Sequence, residues 1–490
     1  MRNLRTKRWS TLEAIGMATI LCAAMLAVAG AVPGIGSLAE VEAGSPSTNP
    51  LDYMTVQLGT INGLKGPHLI ISGANVHVRS GGGSTTEGAC WDTGCSGLGN
   101  LIIGYDEDYA GYKRTGIHNL VVGTKHGFRS HGGLVAGSHN QINQPFATVA
   151  GGQLNTVSAI WGSIAGGKNN WVNGNGAAIL GGRYNNASGA QSTIVGGGGT
   201  SLADGNDATG ELSSVLGGYR NTASGANAVV GGGRDNAASA SYSAVLSGRN
   251  NVASGTASSV LGGGGDLAIL GNTATGQWAT VGGGSRNTAS GDQSSVSGGS
   301  NNTASGIVSS VTGGSGNTAS GNVSAVSGGI GNEASAQTAS VCGGGDNTAS
   351  ATGASVCGGS YNQANGEYAS VGGGEHNYVS GASASITGGR WNEASGSYAS
   401  VVGGGYTNNI NANKAIGDYS TVVGGRNNKT QGERAAILGG AGNDAAGESA
   451  TVSGGTNNDA LGDSSSVGGG NSRSVSGTDD WRAGELFEDL

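Results

Sequence analysis

The sequence predicts an all-β fold, a parallel β-roll or β-solenoid of about 15 residues per coil. Three observations carry that expectation. From Val281 to Val401 an aliphatic residue recurs every 15 positions, at Val281, Val296, Val311, Val326, Val341, Val356, Val371, Ile386 and Val401. Gly follows each anchor at +2 and +3, and Asn stands at +6 in Asn287, Asn302, Asn317, Asn332, Asn347, Asn362, Asn377 and Asn392. Ala fills +8 in all of these copies but one, where Val379 replaces it. A strict period in a glycine-rich chain marks stacked copies of one small unit, and this unit is too short for a helix pair. It suits two short strands joined by two turns.

Alternation of side chains then assigns the core. Ser at −2 and the anchor at 0 share one face of the first strand, while Asn at +6 and Ala at +8 share one face of the second. These four positions point into a narrow interior. The Gly pair at +2 and +3 and the Gly at +10 supply backbone angles strained for other residues, and so mark the corners. Each coil hydrogen-bonds to the next as a parallel strand with a rise of about 4.8 Å. The Asn column then becomes a ladder of side-chain amides.

Taken in order, residues 1–43 open with Arg2, Arg5, Lys7 and Arg8, followed by an apolar run from Ala14 to about Gly36. A basic start, an apolar stretch and small residues ahead of a cut read as an export signal, or as an uncleaved N-terminal membrane anchor. Residues 44–100 lack the repeat; Met54-Val56-Leu58, Leu69-Ile70-Ile71 and Val76-Val78 read as strands of an N-terminal β cap. The repeat array spans 101–477, with looser copies at Leu101-Ile102-Ile103-Gly104, Leu120-Val121-Val122-Gly123 and Leu134-Val135-Ala136-Gly137. Regular anchors are expected from Leu134 and Val149 onward, with three steps of 21 residues, each a coil carrying a six-residue insertion: Ile194 to Val215, Val260 to Val281 and Val401 to Val422. Residues 478–490 read as a C-terminal cap, with Trp481, Leu486 and Phe487 as a hydrophobic plug.

Composition narrows the function. With 101 Gly and 5 Pro in 490 residues the chain is neither collagen-like nor a proline linker, and the periodic Val and Ile argue for an ordered core. The net charge is −8, and no basic run exists to meet phosphates, so nucleic acid is not an expected partner. Cys90 and Cys95 bracket a short loop, where an exported chain is expected to form a local disulfide. Cys342 and Cys357 stand one period apart; they either pair along the stack or are small buried thiols.

The S-V-x-G-G-x-x-N-x-A-S-G coils, with their Leu-Val-Val-Gly and Ile-Leu-Gly-Gly variants, resemble the head repeats of trimeric autotransporter adhesins of the YadA-like haemagglutinin type across residues 101–477. That resemblance implies a left-handed roll, a homotrimer of side-by-side rolls on a bacterial cell surface, and attachment to matrix proteins, host cells or other bacteria. The chain carries neither a heptad stalk nor C-terminal membrane strands, so it is not expected to be a complete autotransporter. At +1, apolar in the family and turned toward neighbouring chains, the residues are Leu180, Val195, Leu216, Leu246 and Leu261, then Ser297, Thr312 and Ser327.

Candidate sites are few. Tyr361, His376, Trp391 and Tyr406 at +5 of four consecutive coils form an aromatic strip, either a surface for sugar rings or a protein receptor or a self-stacking ladder. A second aromatic column at −3 holds Trp161, Tyr242, Trp278, Tyr368, Tyr398 and Tyr419. His118, His126, His131 and His139 fall close together near Asp106, Glu107 and Asp108 without a metal-ligand spacing, and read as loop residues. No catalytic constellation, cofactor motif or metal site is expected. The expected function is therefore a secreted or surface-exposed, non-enzymatic rod mediating attachment. Two alternatives are a structural subunit of an extracellular filament, coat or matrix, and an ice-binding solenoid suggested by Thr288, Thr303, Thr318 and Thr348, a column interrupted by Glu333, Gln363 and Tyr378.

Overall fold

The computed structural model describes residues 49–86, 95–406, 408 and 411–483, together with the backbone of 486–488. The export segment and Cys90 lie outside the described residues. Two compact units are present, Met1–His77 and Val78–Leu490. In the first, β1 (Met54–Gln57) and β2 (His68–Ile71) pair antiparallel with Met54 opposite Ile71. Val76 and Val78, expected in a strand, belong to none.

The second unit is a parallel β-solenoid of about 25 coils. One sheet is built from the −1 and 0 residues of every coil, for example Ser295–Val296 beside Ser310–Val311. The other is built from +7 and +8, for example Thr288–Ala289 beside Thr303–Ala304. A third ladder, not anticipated from the pattern, consists of single bridges at +4, such as Ser285 with Ser300 and Ser300 with Ser315. Ser at −2, the anchor, Asn at +6 and Ala at +8 all point inward: Ser294, Val296, Asn302 and Ala304 are fully buried. The inward column is narrow because Ala faces Val across it, so one methylene more or less is felt by both neighbours.

The three glycines of each coil do different work. Gly at +3 has left-handed backbone, as in Gly284 (φ +81°) and Gly299 (φ +90°), and a Cβ on Gly284 would overlap the Gly299 carbonyl. At +2, Gly298 and Gly313 have ordinary φ and open space around them, and Ser247 occupies the same position. Gly at +10 is also ordinary in φ; its lack of a Cβ allows close approach to the next coil. The Ser290 and Gly291 N–H groups both reach the Ala304 carbonyl, at 2.9 and 3.3 Å. Where Ala stands at +10 in the described coils, as in Ala336 and Ala351, that bond comes from the +9 N–H alone. Left-handed backbone appears instead at two unexpected places, +5 and −3, on residues with side chains: Asn301 (φ +57°), Val308 (φ +57°) and Val323 (φ +58°) are examples. Such residues cost about 1–2 kcal/mol each. They are held there by coil-to-coil bonds, Asn301 N–H to Ser285 C=O at 2.9 Å and Val308 N–H to Asp292 C=O at 2.8 Å.

Two terminal expectations need correction. Val135, not Leu134, pairs with Val149 and is fully buried, while Leu134 lies beside Thr148. That coil is one residue short, and a one-residue slip exchanges the two faces. At the other end, the strand Trp481–Ala483 sets Trp481 beside Ser466 and Arg482 beside Val467. Trp481 therefore occupies an outward position, 39% exposed, and does not plug the core. Leu486–Glu488 folds back on that strand antiparallel.

Candidate functional site

The polar spine of the roll is the Asn column. Each amide N–H₂ donates to two carbonyls: Asn302 Nδ2 to Gly298 O (2.9 Å) in its own coil and to Gly314 O (3.0 Å) in the next. Its Oδ1 accepts the Asn317 backbone N–H at 3.0 Å. Every Asn from 287 to 392 named above is fully buried, and the ladder runs from Asn140 to Asn458. Insertions at the first two long coils leave it intact, with Asn206 N–H to Asn185 Oδ1 at 3.0 Å and Asn272 N–H to Asn251 Oδ1 at 2.9 Å. The third interrupts it: Asn392 Oδ1 is buried without a partner.

The N-terminal end of the spine absorbs the histidine segment. His126 takes the rung before Asn140, accepting the Asn140 N–H at Nδ1 (3.3 Å) and donating from Nε2 to the Val122 carbonyl (3.1 Å). Its own backbone N–H donates to the buried Asp106 carboxylate at 2.7 Å. Burial pushes His126 below the ordinary histidine range, against the pull of Asp106. Neutral imidazole is what the Nδ1 acceptor role requires. His118 accepts the Ser80 N–H, and His131 stands edge-on to Phe146 at 5.3 Å. These are structural roles, and among the described residues no three His, Cys, Asp or Glu side chains cluster to hold a metal ion.

Beside the spine, the +5 strip is a stack. The Tyr361 and His376 rings lie 4.8 Å apart at 6°, and His376 and Trp391 lie 4.0 Å apart at 8°. All three sit on left-handed backbone, with φ of +55°, +57° and +59°. Tyr406 does not join them. The insertion opens at that residue, Ala412 comes to line the groove beside Trp391, and the Tyr406 ring instead carries the Arg426 guanidinium 5.7 Å from its centroid. Because the rings face one another, the strip offers a partner ring edges and the two end faces, not a row of open faces.

The outward residues at +7 complete the site. Gln363, Tyr378 and Glu393 line, with Tyr361, His376 and Trp391, a shallow cavity of about 290 Å³. Glu393 is held by Lys414 Nζ at 2.9 Å, and at +4 Arg390 Nε donates to Glu375 Oε2 at 2.7 Å. Alternation could have found this: +5 and +7 flank the inward Asn and share its opposite face. The −3 column is outward too, with Trp161 67% and Tyr368 61% exposed, and Tyr398 stacked on Tyr419 at 5.0 Å. No protein-family model matches the chain, and no curated protein matches it in sequence.

The remaining sequence candidates fall as follows. Thr288, Thr303 and Thr318 are aligned across adjacent strands, but Glu333 follows directly in the same column. Cys95 is disulfide-bonded. Cys342 and Cys357 are free and exposed, which overturns the reading of small buried thiols: at +1 they fall one residue past the inward anchor, on the opposite face.

Proposed function

We propose that this chain is an exported, non-enzymatic rod of the adhesin-head type, attaching cells to a host, a matrix or one another through contacts repeated along its coils. The supporting observation is the alignment of exposed apolar side chains on outward columns. At +1, Leu180, Leu216 and Leu246 are each more than half exposed in line with one another. A row of this kind marks a contact surface on a soluble rod. Side-by-side association of three copies, as the family resemblance implies, covers that row and leaves the −3 aromatics and the +5/+7 groove for a protein or glycan receptor. The mechanism is avidity, many weak contacts multiplied by repetition and by oligomerisation. Neither a cofactor nor nucleic acid enters this reading, and a membrane enters only through an N-terminal anchor.

The test is light scattering of residues 44–490 on a sizing column, followed by glycan and matrix-protein arrays with the wild type and Trp391→Ala. A trimer whose array binding falls in Trp391→Ala supports the reading. A monomer, or an open-ended filament without receptor binding, favours the structural subunit of a filament, coat or matrix instead.

A further inference from the structure

Cys342 and Cys357 occupy +1 of consecutive coils, one residue beyond the paired anchors Val341 and Val356. The parallel ladder continues through them: Cys342 N–H donates to Val356 O and Cys357 N–H to Val371 O, each at 2.9 Å. Strand spacing therefore sets their Cα atoms about 4.8 Å apart, within the roughly 4.4–6.8 Å that disulfides span. Both side chains are outward and exposed. Burial and the adjacent Cys357 push the Cys342 thiol up. Each cysteine is followed by a glycine pair, Gly343-Gly344 and Gly358-Gly359, and nothing crowds Gly343 or Gly358. That backbone can yield the small distance by which a disulfide draws its Cβ atoms closer than the ladder spacing.

Elsewhere the same chain already carries a disulfide at Cys95, so it matures where thiols are oxidised. We infer that Cys342 and Cys357 are a modification site that closes into an intrachain disulfide, stapling two neighbouring coils in the polar middle of the +1 column. The oxidant is a small-molecule disulfide. The Cys357 thiolate attacks one of its sulfurs and expels the first small thiol; the Cys342 thiolate then attacks Cys357 Sγ in the mixed disulfide and expels the second. Two protons and two electrons leave the cysteine pair, and the oxidant departs as two thiols. The two thiolates can exchange these roles, because both stand exposed at the same position of adjacent coils.

The full chain is incubated with oxidised glutathione, alkylated after acid quench, and peptide-mapped so that each cysteine is read separately. Expected is joint protection of Cys342 and Cys357, no retained glutathione on either, unlinked chains on a non-reducing gel, and alkylation of both after reduction. In Cys342→Ser, Cys357 retains glutathione; serine stands at the same position in Ser297 and Ser327, so this variant keeps the fold. Alkylation of both cysteines after prolonged oxidation overturns the inference. Stable glutathione on either cysteine of the wild type, or protection found only in covalently joined chains, overturns it equally.

Discussion

Replacing Asn302 by Ala isolates what one rung of the ladder contributes. Three bonds disappear, but their consequences differ. The Gly314 carbonyl keeps the Ser300 N–H at 2.9 Å, whereas the Asn317 N–H and the Gly298 carbonyl lose their partners. Each orphaned buried group costs about 1–3 kcal/mol, so the substitution should cost about 4 kcal/mol locally. Asn392→Ala is the internal control. Its Oδ1 is already unpartnered, and the Gly404 carbonyl keeps the Arg390 N–H at 3.0 Å. Only the Gly388 carbonyl is newly orphaned, so this variant should cost about 2 kcal/mol. A repeat array does not unfold as one unit, so the assay is native-state hydrogen exchange read coil by coil. Equal loss of protection around the two sites would refute the reasoning, because it would mean that the amide donors alone, not the complete rung, hold the coils together.

Other substitutions separate conformational from packing effects. Gly284→Ala places a Cβ on left-handed backbone against the Gly299 carbonyl and should cost more than about 3 kcal/mol. Gly306→Ala also sets a Cβ against a carbonyl, that of Gly321, and gives up one hydrogen bond, but on ordinary backbone where other coils hold Ala336 and Ala351, so it should cost less, about 2 kcal/mol. Hydrogen exchange around each site compares them. The Ser294 and Ser309 hydroxyls are buried without a partner, and Ala already fills that position in Ala279 and Ala339, so Ser309→Ala should leave local exchange unchanged or slower. Val323→Asn, on left-handed backbone, should stabilise its coil by about 1 kcal/mol, seen as slower local exchange. The first coils should weaken in acid. His126 has a depressed folded pKa, so below the ordinary histidine value of about 6.5 the unfolded chain binds more protons. Stability there is complete above that value and is lost progressively as pH falls from it toward the lower pKa of the folded state. Exchange of residues 120–142, corrected for intrinsic rates, should show the loss in wild type and not in His126→Asn.

Period and alternation made the core readable from the chain itself: Ser at −2, Val at 0, Asn at +6 and Ala at +8 turn inward because each pair lies two residues apart on a short strand. The Asn ladder followed from the same rule, since a buried amide column has only its neighbours and the corner carbonyls to bond. What the sequence could not decide depends on distances between coils. Whether a glycine serves left-handed backbone, as Gly284 does, or close approach, as Gly291 does, is a property of the neighbouring coil. Register at the irregular ends likewise depended on pairing, which turned Val135 inward in place of Leu134 and left Trp481 outside. The aromatic site shows both sides. Spacing alone aligned Tyr361, His376 and Trp391, but Tyr406 turned to Arg426 instead of joining the stack, and the parallel faces of the rings left their edges to solvent. Local order sets which side chains turn inward; only the stacked coils decide which faces remain free.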